Sequence, residues 1–286
     1  MGSDCAQVLS LEHDVVALSS KALDISDLDA VEDAIGRVKP DIILNCAAYT
    51  NVDGCETYKE LAWSVNVNGT ENLALCMEKS RGLLIHVSTD YVFDGRKKVP
   101  QPYLEDDIIA PESYYGKTKL KSEEVVRRTI DRHIILRTAW LYGARGHNFL
   151  KTMLKLSLKD PEKDIKVVND QFGSPTWSYR LASQIDRLVK LGGQGTYHAT
   201  SEGFCTWYDL AGYFLKRMEV EHTLIPCTTK EYLTPATRPK NSILENRRLK
   251  ELGINLMPPW QSDVDQFVSM FKETLVREAK ESAPLC

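Results

Sequence analysis

Three stretches of this chain are apolar at successive positions rather than at alternate ones. They are Pro40-Asp41-Ile42-Ile43-Leu44-Asn45, Leu83-Leu84-Ile85-His86-Val87 and His133-Ile134-Ile135-Leu136-Arg137. Successive side chains of a strand point to opposite faces, so a strand that is apolar at every position has to be covered on both. Helices must supply the cover, and the segments between the runs have helical character: Leu28 to Val38, Glu56 to Lys79 with a break near Gly69, and residues 113 to 128 behind the capping candidate Ser113. The implied fold is α/β, a doubly wound parallel sheet. Asp14-Val15-Val16-Ala17-Leu18 and Gly195-Thr196-Tyr197-His198-Ala199 read as further strands.

Ligands of such sheets bind beyond the carboxyl ends of the strands. Here those ends read Cys46-Ala47-Ala48-Tyr49, Val87-Ser88-Thr89-Asp90 and Thr138-Ala139-Trp140. Short side chains at 47 and 48 let a ligand approach the backbone, or else allow a helix to pack tightly on the strand. The residues alone leave both readings open.

Composition narrows the function classes. A net charge of -4 with scattered lysines and arginines gives no footprint for nucleic acid or for an anionic membrane surface. No apolar run reaches the length of a membrane span and nothing at the start resembles a secretion signal, which points to a cytoplasmic enzyme. The seven cysteines show no Cys-x-x-Cys spacing, so reduced thiols are expected and a metal site is not. Asn68-Gly69-Thr70 matches a glycosylation pattern only by coincidence in such a protein.

The chemistry is carried by Tyr115-Gly116-Lys117-Thr118-Lys119 together with Thr89. On a helix, Tyr115 and Lys119 lie one turn apart on one face. A phenol titrates near pH 10 and is a poor acid at neutrality, but an adjacent ammonium stabilises its phenolate and lowers that value. Thr89, at a strand end, can hydrogen-bond a carbonyl oxygen beside the phenol. The trio delivers a proton to a carbonyl that is becoming an alcohol. It contains no reductant, so the hydride has to come from a cofactor.

Ser88-Thr89-Asp90-Tyr91-Val92-Phe93-Asp94-Gly95, then Tyr115-Gly116-Lys117-Thr118-Lys119-Leu120, then Arg137-Thr138-Ala139-Trp140-Leu141-Tyr142-Gly143, resemble in that order the extended short-chain dehydrogenase/reductases. Within them the chain is most similar to the dTDP-4-dehydrorhamnose reductase family, from about Gly2 to Phe271. Later blocks agree: Asp170-Gln171-Phe172-Gly173-Ser174-Pro175-Thr176 and Pro235-Ala236-Thr237-Arg238-Pro239-Lys240-Asn241-Ser242.

The resemblance implies Thr89, Tyr115 and Lys119 as catalytic residues. It implies cofactor contacts at Gly2, Asp24, Ile25, Ala47, Ala48, Tyr49, Val87, Tyr115 and Lys119. Substrate contacts fall on Thr89, Asp90, Trp140, Asn148 and Arg238. Several of these have a structural reading beside the functional one. Asp24 or Ser26 can cap the helix from Leu28. Trp140 can be a core aromatic instead of a stacking platform for a hexose. Arg238 suits a diphosphate but equally an ion pair between lobes. Asn66 resembles an asparagine that supports the catalytic lysine, although mid-helix asparagines are more often locally bonded. His147 reads as a loop histidine.

The implied cofactor is NADPH or NADH. Ser19, Ser20 and Lys21 stand where an acidic residue would select the unphosphorylated ribose, which leans toward NADPH. The implied substrate is a dTDP-sugar, and the resemblance leaves room for a homodimer. Two rivals remain: a regulatory subunit that keeps the fold without turnover, as in relatives that regulate methionine adenosyltransferase, and a reductase or epimerase of another nucleotide-linked sugar.

Residues 1–145, with about 175–200, are expected to form the dinucleotide lobe. About 146–174 and 201–280 are expected to form the substrate lobe, and 281–286 a tail. Helices are expected at Leu150 to Leu158, Ser178 to Leu191, Trp207 to Met218 and Gln261 to Lys280, and an exposed loop at 94–112.

The start departs from the family pattern, which opens with a strand and a Gly-x-x-Gly-x-x-Gly turn. Here Met1-Gly2-Ser3-Asp4 runs straight into Cys5-Ala6-Gln7-Val8-Leu9, which reads as the first helix, and Gly2 matches the last glycine of the motif. A late start codon, a cloning remnant and a true truncation all account for this, the first two being favoured. Weak dinucleotide binding is the expectation for this chain.

Overall fold

The computed structural model of the chain describes residues 1–281. Its largest sheet is parallel and places β1 (Ile42–Asn45), β2 (Leu83–Thr89) and β3 (His133–Thr138) side by side, followed by the strand Gly195–His198. The unbroken apolar runs now have their reason. Leu83, Ile85, Ile134 and Leu136 face one way, into a cluster with Cys5 of α1 (Gly2–Leu9) and Leu181, Ile185 and Leu188 of the helix Ser178–Lys190. Leu84 and Ile135 face the other way. Together with Val31 of α2 (Leu28–Val38) they meet Leu73 and Met77 from the helix Gly69–Ser80 and Val126 from the helix Tyr114–Thr129. Each such side chain contributes about 1.5–3 kcal/mol on burial.

The expected helix from Glu56 to Lys79 is several pieces. They are α3 (Val52–Thr57), α4 (Lys59–Trp63), a π-helical turn at Ser64–Asn68, and α5 (Gly69–Ser80). Gly69 is required there, because a Cβ on it would lie 2.6 Å from the Ile25 side chain. Past β2, α6 (Tyr114–Thr129) starts where Ser113 predicts: the Ser113 hydroxyl accepts the Gly116 N–H at 3.1 Å.

Behind α6 lies a buried ion pair. Arg137 of β3 binds Glu123 of α6 through Nε at 2.9 Å and Nη2 at 2.8 Å, and Ser88 of β2 donates to the same carboxylate at 2.5 Å. Burial pushes the Glu123 carboxyl up, yet hydrogen bonds from Arg137 and Ser88 and the nearby Arg127 charge hold it below its ordinary value. This cluster fixes α6 to the two central strands.

A second core gathers Leu150, Met153 and Leu154 from the helix Phe149–Lys159 with Ile165 and Val167 from the strand Asp164–Val168. Leu210, Phe214 and Leu215 of the helix Trp207–Met218, and Val264 and Phe267 of the helix Trp260–Glu281, complete it.

Three expectations are corrected. Asp14–Leu18 is not a strand: it is irregular, with Val16 and Leu18 about half exposed, because it has no partner to complete a hydrogen-bond ladder. The cap of α2 is neither Asp24 nor Ser26 but Asp27, whose carboxylate accepts the Ala30 N–H. Glu281, placed in the tail, still belongs to the last helix, and the rest of the tail, 282–286, lies outside the described residues. Among the described residues no helix is long and apolar enough to cross a membrane.

Candidate active site

β2 ends at Thr89, and Asp90–Val92 form a single 3₁₀ turn. Thr89 caps that turn: its hydroxyl accepts the Tyr91 N–H at 3.2 Å and donates to Asp90 Oδ1 at 2.9 Å. The Tyr115 side chain lies beside the Thr89 hydroxyl, and the Tyr115 ring meets Tyr91 edge-on at 5.6 Å. One helical turn further along α6, the Lys119 amine is buried. It donates to the Val87 carbonyl at 2.8 Å and stands 3.2 Å from His86 Nε2. The structure therefore brings Val87, Thr89, Asp90, Tyr115 and Lys119 together at the end of β2.

The electrostatics differ from the expectation of a phenol made acidic by the lysine. Burial and the Asp90 carboxylate push the Tyr115 phenol above its ordinary value, and the Thr89 hydroxyl opposes them. The Lys119 amine is turned toward β2. Burial lowers it to about 8, against the charges of Glu123 and Cys46. Desolvation thus acts on both groups and disfavours phenolate and ammonium alike.

Asp90 is desolvated in the same way. Burial raises its carboxyl to about 6, while the nearby Ser242 hydroxyl and the Thr89 hydrogen bond work against the rise. The folded state therefore holds this proton more tightly than the unfolded chain does. The stability contributed is fully present below about pH 4 and is lost as pH rises through about 6, a total on the order of 3 kcal/mol. Asp90→Asn should remove this fall, so urea unfolding between those pH values should show the variant losing less stability than the parent. An unchanged slope would reject the assignment to Asp90.

Other candidates lie around this centre. Asn66, 1% exposed, accepts the Tyr49 N–H at 2.7 Å and donates to the Tyr49 carbonyl and to Thr118 Oγ1, so it holds the 47–49 turn against α6. Ala47 is exposed, and its N–H is held by Asn45 Oδ1. Gly2 opens α1, and a Cβ on it would meet the Cys46 side chain at 3.8 Å, an ordinary contact.

Asp24 is exposed and binds the N–H and hydroxyl of Ser26. Ile25 is a core side chain, and its carbonyl accepts from Asn72. Any ligand contact from Ile25 is therefore through backbone.

Asn148 has a structural role. It caps the helix Phe149–Lys159, accepting the Lys151 N–H at 3.1 Å and donating to the Gly143 carbonyl at 2.8 Å. Its position just before a helical run was the legible signal.

Arg238 forms an ion pair with Asp53 at 2.7 Å, and Asp53 also accepts the Ala236 N–H. The guanidinium charge also lies near the Tyr91 phenol and opposes the rise that burial imposes on it. His147 is an exposed loop residue.

Trp140 takes the left-handed conformation, φ 47°, and stacks on Trp207 at 3.5 Å with 9° between the planes. A Cβ on Gly173 would lie 2.3 Å from the Trp140 indole, so glycine is needed there. Trp207 had no distinguishing signal: it reads as one more apolar residue of an amphipathic helix.

The RmlD substrate binding domain family model matches residues 1–273. The dTDP-4-dehydrorhamnose reductase of Aggregatibacter actinomycetemcomitans is 40% identical over 263 residues, 87% of each chain. The spore coat polysaccharide biosynthesis protein SpsK of Bacillus subtilis is 38% identical over 250 residues, again 87% of each. Among solved structures, a dTDP-4-dehydrorhamnose reductase from Clostridium acetobutylicum superposes with a TM-score of 0.91 at 36% identity, covering 95% of both chains. The Bacillus anthracis dTDP-4-dehydrorhamnose reductase, in complex with NADP, gives 0.88 at 34% identity over 93% of this chain and 95% of its own. With the family model spanning nearly its whole length and these relatives agreeing in sequence and fold, the chain belongs to the RmlD substrate binding domain family.

Proposed function

We propose that the protein reduces the C4 ketone of dTDP-4-dehydro-L-rhamnose to the alcohol of dTDP-L-rhamnose with NADPH or NADH. The observation that carries this reading is the buried grouping of Thr89 and Tyr115 at the end of β2, with Lys119 one turn along α6. When bound, the reduced nicotinamide supplies the hydride. Tyr115 gives its proton to the ketone oxygen, Thr89 holds the phenol and that oxygen in register, and Lys119 returns a proton to the tyrosine side.

Of the glycine turn only Gly2 is present, so binding is expected to be weak, but the residues at the other strand ends suit a dinucleotide. Short, exposed Ala47 follows β1 where a ligand can approach the backbone, and the buried Lys119 amine lies behind it. Gly2, Asp24, the Ile25 backbone, Ala48, Tyr49 and Val87 complete our assignment of the cofactor contacts. Asp90, Trp140 and Arg238 are assigned to the sugar nucleotide. Arg238 Nη1 has no hydrogen-bond partner among the described residues, which leaves a donor for the diphosphate. We assign 1–145 with about 175–200 to the dinucleotide lobe and about 146–174 with 201–280 to the substrate lobe.

Initial rates of nicotinamide oxidation with dTDP-4-dehydro-L-rhamnose test the reading, and NADPH is expected to give the lower KM. No oxidation of either cofactor refutes it. Faster turnover of another nucleotide-linked 4-keto sugar would move the substrate and keep the chemistry.

A further inference from the structure

A chain of buried hydrogen bonds runs behind the site, and its polarity can be followed from end to end. The Ala47 N–H can only donate, so the atom of Asn45 facing it at 3.0 Å is the oxygen. Asn45 Nδ2 therefore faces Thr70 Oγ1 and His86 Nδ1, each at 3.3 Å. Thr70 spends its own proton on the Asn66 carbonyl at 2.8 Å and is free to accept. His86 Nδ1, facing a donor, must carry the lone pair. At the other end of the ring the Ser122 hydroxyl donates to the Lys119 carbonyl at 2.7 Å, so it accepts from His86 Nε2 at 2.8 Å. Both neighbours demand the same tautomer, with the proton on Nε2. All of these side chains are at least nine-tenths buried, and burial keeps the ring neutral.

The consequence falls on Lys119, whose amine lies 3.2 Å from that same Nε2. An N–H aimed at an ammonium is repelled. With its proton directed at Ser122, Nε2 keeps no lone pair to accept from the ammonium either. We propose that His86, locked as the Nε2–H tautomer by Asn45 and Ser122, is a positioning residue that offers Lys119 no acceptor and makes Lys119 a proton carrier rather than a permanent cation.

The proposal rests on the reductase reading for its purpose, since a carrier is what re-protonates Tyr115 after each turnover. The charged and titratable groups around the pair are Glu123 of α6 and Cys46 beyond β1, which favour the ammonium, and Arg127 of α6, which opposes charge on the ring. Burial outweighs the first two and lowers Lys119 to about 8.

Nitrogen-15 spectra of the histidine rings and carbon-13 spectra of the lysine ε-carbons of the intact chain test this, with Lys119 assigned by its loss in Lys119→Met. His86 is expected to show an unprotonated Nδ1 and a protonated Nε2 with no titration from about pH 6 to 9, and Lys119 to titrate within that range. In His86→Gln the side chain can give its N–H to Ser122 and turn its carbonyl to Lys119, so the ammonium gains an acceptor. The Lys119 midpoint should then rise by roughly one pH unit. A proton on Nδ1 in the parent overturns the proposal, as does a Lys119 midpoint unmoved by His86→Gln. Should that variant fail to fold, the parent's tautomer still decides. The spectra need neither cofactor nor turnover, so a chain inactive on the keto sugar would refute the reductase reading and leave this one to stand or fall separately.

Discussion

Tyr115→Phe should lower kcat for nicotinamide oxidation by a factor on the order of a hundred to ten thousand, the range in which a positioned general acid acts. The variant removes the hydroxyl beside Thr89 and leaves the ring, which stays packed edge-on against Tyr91. The cost in stability should therefore be at most about 1 kcal/mol, since the ring keeps its packing and Thr89 keeps its bonds to Asp90 and the Tyr91 N–H. Because the proton is delivered only as the ketone is reduced, KM should change much less than kcat. Steady-state kinetics with circular dichroism on the same preparation make the check. A folded variant that turns over at the parent's rate removes Tyr115 from the mechanism.

The largest effect on stability is expected from Glu123→Leu, which should cost roughly 3–5 kcal/mol, the range for removing one partner of a buried ion pair. Glu123 is 0% exposed and Arg137 1%. The substitution leaves the Arg137 guanidinium with the Glu105 carbonyl at 3.1 Å and the face of the Phe93 ring, and strands the Ser88 hydroxyl. Adding Arg137→Leu should recover much of the loss, because the stranded charge then disappears and an apolar pair fills the space. Equilibrium urea unfolding of both single variants and the double at neutral pH measures the coupling. Additive losses would show that the pair does not act as a unit. The carboxyl is held below its ordinary value, so its contribution is present above the unfolded-state value near pH 4.5 and is lost as pH falls through the folded one.

The agreement between sequence and structure is greatest where the signal is local. Leu28–Val38 begins and ends where its spacing predicts, and Ser113 caps α6 as its type and position suggest. Each apolar run is a strand of the parallel sheet. Asp14–Leu18 failed because a strand exists only by pairing, and its composition says nothing of a neighbour. Asn148 was read through a resemblance when its place before a helix already declared a cap. Trp140 was open between ligand platform and core. The structure gives one face of its indole to Trp207, 67 residues further along the chain.

By itself the sequence determined the period of each element, the sheet that unbroken apolar runs require, and the one-turn spacing that puts Tyr115 and Lys119 on one face of α6. These follow from bond geometry and from the cost of leaving apolar side chains in water, which act within a few residues. Tertiary structure alone decided where the Lys119 amine points, which nitrogen of His86 carries its proton, and how far burial shifts Asp90 and Tyr115. Those depend on the groups that distant segments bring within hydrogen-bond reach and on the water they exclude, and neither is encoded in any single stretch of the chain.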